Sequence, residues 1–315
     1  MNPYSILIKR NVKVFFKDKG TFFTALITPM ILLVLYATFL YNVYYESFEG
    51  ALPEGVPVDP NVLKGLVGGL LISSLLAVST VTVSFCANLI MVQDKVSGAR
   101  KDLTVAPVKP HTLAVGYYVA TVLNGLIISL SALLLGLVYL SFLGWYLSWT
   151  DVLLLFVDTV LLVLFGTAFA SLVCYPLSTQ GQVSAVGSIV SSCYGFICGA
   201  YMPISQFSKG LRNVLSFLPG THGTSLLRNH ALQGACEELA KQGMPAEGVE
   251  GIKAVADCNL SFFGYQVEIW QMYLVLIGAI LLMFGAYVLL NAFGAKRKRT
   301  SVSKGQVCDE RKKSR

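Results

Sequence analysis

The chain is predicted to be an all-α, polytopic membrane protein with six transmembrane helices, and three observations lead there. Six apolar runs, 22–44, 63–91, 113–143, 152–175, 183–202 and 269–293, each reach about 20 residues, the length at which an α-helix crosses a ~30 Å hydrocarbon core. Of the 315 residues 55% are hydrophobic and only 13% charged, with a mean hydropathy of +0.65, as in helical membrane proteins. The runs are also continuous rather than alternating in ~10-residue segments, which excludes a transmembrane β-barrel.

Charge sets the orientation. Basic residues gather before the first run (Lys9, Arg10, Lys13, Lys17, Lys19), between the second and third (Lys95, Arg100, Lys101, Lys109), and after the sixth, in 296–299 and Arg311, Lys312, Lys313 and Arg315. Acidic residues gather in the alternate gaps: Glu46, Glu49, Glu54 and Asp59, then Glu237, Glu238, Glu247, Glu250 and Asp257. With six crossings all three basic clusters share one side, so both termini are expected in the cytoplasm and the protein in the cell (cytoplasmic) membrane. The net charge of +7 is then a property of one membrane face and calls for no nucleic-acid partner. The long charged N-terminal region lacks a small-residue cleavage site, so the first run is expected to stay as a helix.

Along the chain, residues 1–20 are expected to form an interfacial amphipathic helix. Tyr4, Ile8, Val12, Phe15 and Phe16 recur at helical spacing beside Lys9, Lys13 and Lys17, a pattern that suits a helix lying in the membrane surface. Residues 21–295 form the six-span domain, and 296–315 a basic cytoplasmic tail. Within that domain, 46–61 is an acidic outer loop, and 92–110 is a cytoplasmic segment long enough for a short helix but too short for a domain. Trp145, Tyr146 and Trp149 flank a tight outer turn as an interfacial aromatic belt. After the fifth run, 201–220 is half apolar and broken by Pro203 and Pro219, which predicts an outer re-entrant helical hairpin with its backbone buried against protein. Residues 221–268 read as a polar outer segment, so that 203–268 together make up the extramembrane hairpin and its extension.

No catalytic residue is identified. The sequence contains no G-x-x-x-x-G-K-[ST], H-E-x-x-H, G-x-S-x-G or C-x-x-C, so it has no P-loop of its own. His111, His222 and His230 fall in different loops without metal-ligand spacing, and neither a metal site nor a cofactor is expected in this chain. The spans carry two faces of small and polar residues: Ser73, Ala77, Thr80, Ser84 and Asn88 on the second, and Ser184, Ser188, Ser191, Gly195 and Gly199 on the fifth. Close helix packing accounts for such faces, and so does a substrate path or dimer seam. Asp158 is the clearest acid inside an apolar run; it faces either a functional interior or the nearby headgroups. Cys236 and Cys258 are the only cysteines in the expected outer region, where they stand as free thiols or as a disulfide.

Two stretches carry a family resemblance. One is Asp94-x-x-x-Gly98 followed by Ala106-Pro107. The other is Gly199-x-x-x-Pro203-Ile-Ser, then Phe217-Leu-Pro219, then Leu227-Arg228. With the amphipathic leader and the six-span layout, the chain resembles the membrane subunits of type-2 ABC transporters, permeases that pair with separate ATPase subunits for export. The resemblance implies that 92–110 holds a coupling helix resting on an ATPase, with Asp94, Gly98, Arg100, Lys101 and Asp102 as contacts. It also implies ATP and Mg on partner ATPase subunits, and a homodimer or a heterodimer with a similar permease. Asp94 stands where a glutamate is more usual, and the outer segment before the last span is unusually long. Few charges lie deep in the spans, which favours lipophilic or amphipathic cargo such as a drug, an antibiotic or a lipid-linked molecule. A membrane scaffold or sensor recruiting a cytoplasmic partner through the same loop is the alternative; an intramembrane hydrolase lacks any nucleophile–base pair.

Overall fold

This computed structural model describes residues 3–53, 58–100, 103 and 110–313, and nearly all of them are helical. Helix α1 (Pro3–Lys17) precedes α2 (Lys19–Leu35), which runs through a π-turn at Tyr36–Leu40 into α3 (Tyr41–Gly50). Four long helices follow: α4 (Pro60–Val96), α5 (Pro110–Leu143), α6 (Trp149–Cys174) and α7 (Gln180–Ile197). A 3₁₀ turn (Ile204–Gln206) leads to the short α8 (Lys209–Ser216), then α9 (Pro219–Lys241) and α10 (Ala246–Val255). A two-stranded antiparallel hairpin, β1 (Ser261–Phe262) and β2 (Tyr265–Gln266), precedes α11 (Ile269–Lys313).

The helix starts have local causes. Asp18 accepts the Gly20 and Thr21 amides at the head of α2, and Asp59 accepts the Asn61 amide ahead of Pro60, the first residue of α4. Reciprocal capping boxes open α6 (Ser148 with Asp151) and α7 (Thr179 with Gln182).

Among the described residues, five stretches are long and apolar enough to cross a membrane: Lys19–Gly50, Pro60–Val96, His111–Leu143, Trp149–Cys174 and Ile269–Phe293. The expected fifth run appears as α7, whose 18 residues span about 27 Å. Its glutamines, serines and glycines make it less apolar than the other five. Helix α4 is the axis of the bundle. It packs against α2, α5, α6, α7 and α9, and its apolar window is wholly buried, as befits a helix that is hydrophobic all round. By contrast α2, α5 and α11 leave most of their apolar surface on the outside of the bundle.

One end of the bundle, here the base, collects α1, the C-terminal ends of α4 and α6 and the start of α5. Helix α1 lies on α5, where Gly116 leaves room for Leu7. Its buried row is Leu7, Asn11 and Phe15, while Ile6 and Phe16 stay exposed. The buried face is thus turned by about one residue from the expected Tyr4–Ile8–Val12 stripe, which brings Arg10 within reach of α4.

The opposite end, the crown, holds α10 and the β1–β2 hairpin. The expectation for 221–268 needs correction here. Instead of standing apart from the helices, it opens with α9 inserted between α4, α6 and α11. Its Thr221, His222, Thr224, Ser225, Arg228 and His230 are all buried. Gly69 lets the Ala231 carbonyl come close, and a Cβ at Gly234 would stand 1.9 Å from the Tyr146 carbonyl oxygen. Polar side chains satisfied by protein partners look, in sequence, like side chains satisfied by water.

Candidate functional site

At the base, Asp94 ends α4 as the centre of a polar node. Arg10 grips both of its carboxylate oxygens, with Nη2 to Oδ1 at 2.8 Å, and the Tyr117 hydroxyl donates to Oδ2 at 2.5 Å. Hydrogen bonding to Asp94 holds the Arg10 guanidinium above its ordinary range. The carboxylate is buried and faces α1 and α5, whose Arg10 and Tyr117 are its partners within the chain. Lys95, next in sequence, donates to the carbonyls of Cys174, Tyr175 and Leu177 at 3.2, 2.6 and 3.1 Å. It thereby caps the C-terminal end of α6, where a cation is favoured, and lies 5.5 Å above the Tyr175 ring. Tyr175 in turn donates to the Leu290 carbonyl, and Arg100 to Asn291 Oδ1 at 3.1 Å, which brings in α11. Gly98, at φ +85, turns the chain out of α4 into open space. Lys101 and Asp102 lie outside the described residues.

Midway toward the crown, Arg228 of α9 is 1% exposed. Its Nη2 donates to the Gly199 carbonyl at 2.6 Å and to Ser74 Oγ at 3.3 Å, and its Nη1 stands 3.6 Å from Asp257. Asp257 accepts the amides of Ile204 and Ser205. The pair therefore satisfies donors and acceptors that the irregular backbone between α7 and α8 cannot pair with itself, the condition for such backbone to be buried. Pro203 precedes the 3₁₀ turn and Pro219 occupies the first position of α9. Tyr36, in the π-turn, donates to the Ala200 carbonyl at 2.9 Å and joins α2 to the same loop.

Nearer the crown, Asp158 is completely buried and faces protein rather than headgroups. His230 Nδ1 lies 2.6 Å from Oδ2, and the Tyr273 hydroxyl donates to Oδ1 at 2.6 Å, so α6, α9 and α11 meet at one carboxylate.

The small faces divide. Ser73, Thr80, Ser84 and Asn88 are buried inside the chain. The three hydroxyls bond back to carbonyls of Leu70, Ala77 and Thr80, and Asn88 donates to Ser171 Oγ at 2.7 Å. With Gly166 set against Val81, this face is the α4–α6 packing surface, one of the readings its small residues allowed. Gly195 of α7 and Gly199 just beyond its end are covered by Tyr201 and Ile204, while Ser184 and Ser188 are exposed and Ser191 half-exposed. Cys236 and Cys258 are free thiols, both buried, so the disulfide considered for them is not formed.

The partners of these groups escaped the sequence reading: Arg10, Lys95, Tyr117, Asp257, His230 and Tyr273. Arg228 was singled out only through the family resemblance, and nothing in the sequence named its acid. A family model described as ABC-2 type transporter matches residues 3–231, from α1 through the first half of α9. No curated protein matches the chain.

Proposed function

The chain belongs to the ABC-2 type transporter family, and we propose that it is the membrane-spanning permease subunit of an ATP-driven exporter. In this reading the spans are α2–α3, α4, α5, α6, α7 and the first part of α11, with both termini in the cytoplasm of the cell. Hydrolysis belongs to separate ABC ATPase subunits that carry ATP and Mg, and two permeases, identical or similar, enclose the path. The exposed Ser184 and Ser188 of α7 supply one surface for that pairing. The cargo is lipophilic or amphipathic, such as a drug, an antibiotic or a lipid-linked molecule.

The observation that carries this reading is the node of Arg10, Asp94 and Tyr117 at the point where α4 gives way to the cytoplasmic loop. The loop beyond Gly98, with Arg100, Lys101 and Asp102, meets the ATPase. Asp94 is a positioning residue: it ties any displacement of that loop to α1 and α5 at once, while Lys95 ties it to α6 and Arg100 to α11. Closure of an ATPase pair then shifts one packed body rather than one loop, the behaviour of a two-state element biased from outside the membrane.

Co-expression with an ABC ATPase encoded beside the chain tests this. Co-purification, with hydrolysis that rises when the permease is present, is the expected result. Stable association with a kinase or a lone regulator, and no effect on any ATPase, would replace export by a scaffold or sensor role.

A further inference from the structure

The crown is not closed above α11. Between α10, the β1–β2 hairpin and the first turns of α11 lies a cleft of about 710 Å³, a size common among small-molecule sites. Glu250, Lys253, Asn259, Glu268, Trp270 and Tyr273 form its polar and aromatic wall.

The charges in that wall are unevenly matched. Glu250 has Lys253 at 3.6 Å and the Asn259 amide at 2.7 Å. Glu268 accepts the Trp270 indole N–H, and among the described residues it forms no ion pair. Behind the Tyr273 ring stands the buried carboxylate of Asp158, which shares its oxygens between Tyr273 and His230. Among the described residues that line the cleft, Glu250 and Glu268 thus face one cation, Lys253, and Glu268 is left without a counter-charge. Two of its aromatic walls, Trp270 and Tyr273, belong to ring types that attract cations through their faces. Immediately below, Ile269, Trp270 and Leu274 are exposed on α11, where its apolar stretch begins. An acidic, aromatic-walled mouth above an apolar strip suits one kind of molecule, an organic cation carried on an apolar tail.

We propose that this cleft binds the head of a cationic amphiphile, with the ammonium group between Glu268 and the rings of Trp270 and Tyr273 and the tail along Ile269 and Leu274. The site goes beyond the export reading, because binding needs neither ATP nor an ATPase. The same ammonium chemistry reaches the cleft from a free amphiphile or from the headgroup of a membrane lipid.

The test uses the permease alone in phosphatidylglycerol nanodiscs, with W145F and W149F leaving Trp270 as the only indole of three. Titration with dodecyltrimethylammonium is expected to change Trp270 emission saturably, and E268Q to weaken the apparent affinity by about tenfold. Dodecyl sulfate is expected to give no saturable change. An equal response to dodecyl sulfate, or unchanged affinity in E268Q, would overturn the proposal, whatever the effect of E250Q. Both side chains are exposed, so neither substitution threatens the fold. Repeating the titration in phosphatidylethanolamine assigns the source. A lowered apparent affinity supports the site with a lipid headgroup as its occupant; an unchanged one supports it with a free amphiphile. Loss of ATPase association with binding intact would remove export and leave this site standing.

Discussion

Arg228 shows how much one side chain carries when irregular backbone is buried. Its charge is paired with Asp257, and each partner also holds loop backbone, so removing one leaves the other as an uncompensated buried charge. R228A and D257A are each expected to cost about 3–5 kcal/mol, read as lowered thermal stability of the purified permease in detergent. The double variant should cost less than the sum, since the two share one network. Strict additivity would mean that the pair is not coupled. The cysteines give a second check at this scale. Burial pushes the Cys236 thiol up to about 11 and the Cys258 thiol higher still, so at pH 8 neither supplies the reactive thiolate. A maleimide is expected to leave Cys236 and Cys258 unlabelled in the folded protein and to label them only after denaturation without reductant. Absence of label on both after denaturation would restore the disulfide.

At the scale of helices, backbone proximity is the sharpest feature. The Cβ that Gly234→Ala adds would meet the Tyr146 carbonyl oxygen at 1.9 Å, and that of Gly69→Ala the Ala231 carbonyl oxygen at 2.6 Å. Backbone cannot rotate away as a side chain can, so each substitution is expected to destabilise the fold by about 1–3 kcal/mol. Gly187→Ala on α7 meets nothing within 4 Å and should leave the thermal stability of the monomer no lower. Equal stability of Gly234→Ala and wild type would contradict the close packing of α9. These contacts also mark where sequence was readable. Long apolar helices declare themselves by length and composition, so α4, α5, α6 and the start of α11 were legible within a few residues, whereas the expected first run is divided at a π-turn into α2 and α3, and α11 runs on to Lys313 through the expected tail. Helix α9 was not, because its buried polar groups are satisfied by residues far away in sequence, such as Ser74, Gly199 and Asp158. The face of Ser73, Thr80, Ser84 and Asn88 was legible as small and polar, but the partner it packs against was not. The same holds at the base. Asp94 stood out by its motif, whereas Arg10 was one lysine-rich-helix cation among several until α1 was placed on α5.

For the whole molecule, the account is that force from an ATPase enters at the loop after Gly98 and spreads through Asp94, Lys95 and Arg100 to four other helices. Cysteines introduced in 46–53 or 242–260 should react with a membrane-impermeant reagent from outside intact cells, and those at 97–100 should not; outside labelling at 97–100 would reverse the orientation. The most direct measurement is ATP turnover by the partner ATPase in nanodiscs with wild-type, R10Q or Y117F permease. R10Q removes the two guanidinium donors and their charge from Asp94, Y117F removes the hydroxyl donor, and both leave the cytoplasmic loop itself untouched. The account predicts that both variants still bind the ATPase but lose most of the permease-dependent stimulation of hydrolysis and of export. Full stimulation and unchanged export in both would contradict it, and would place the coupling in the loop alone.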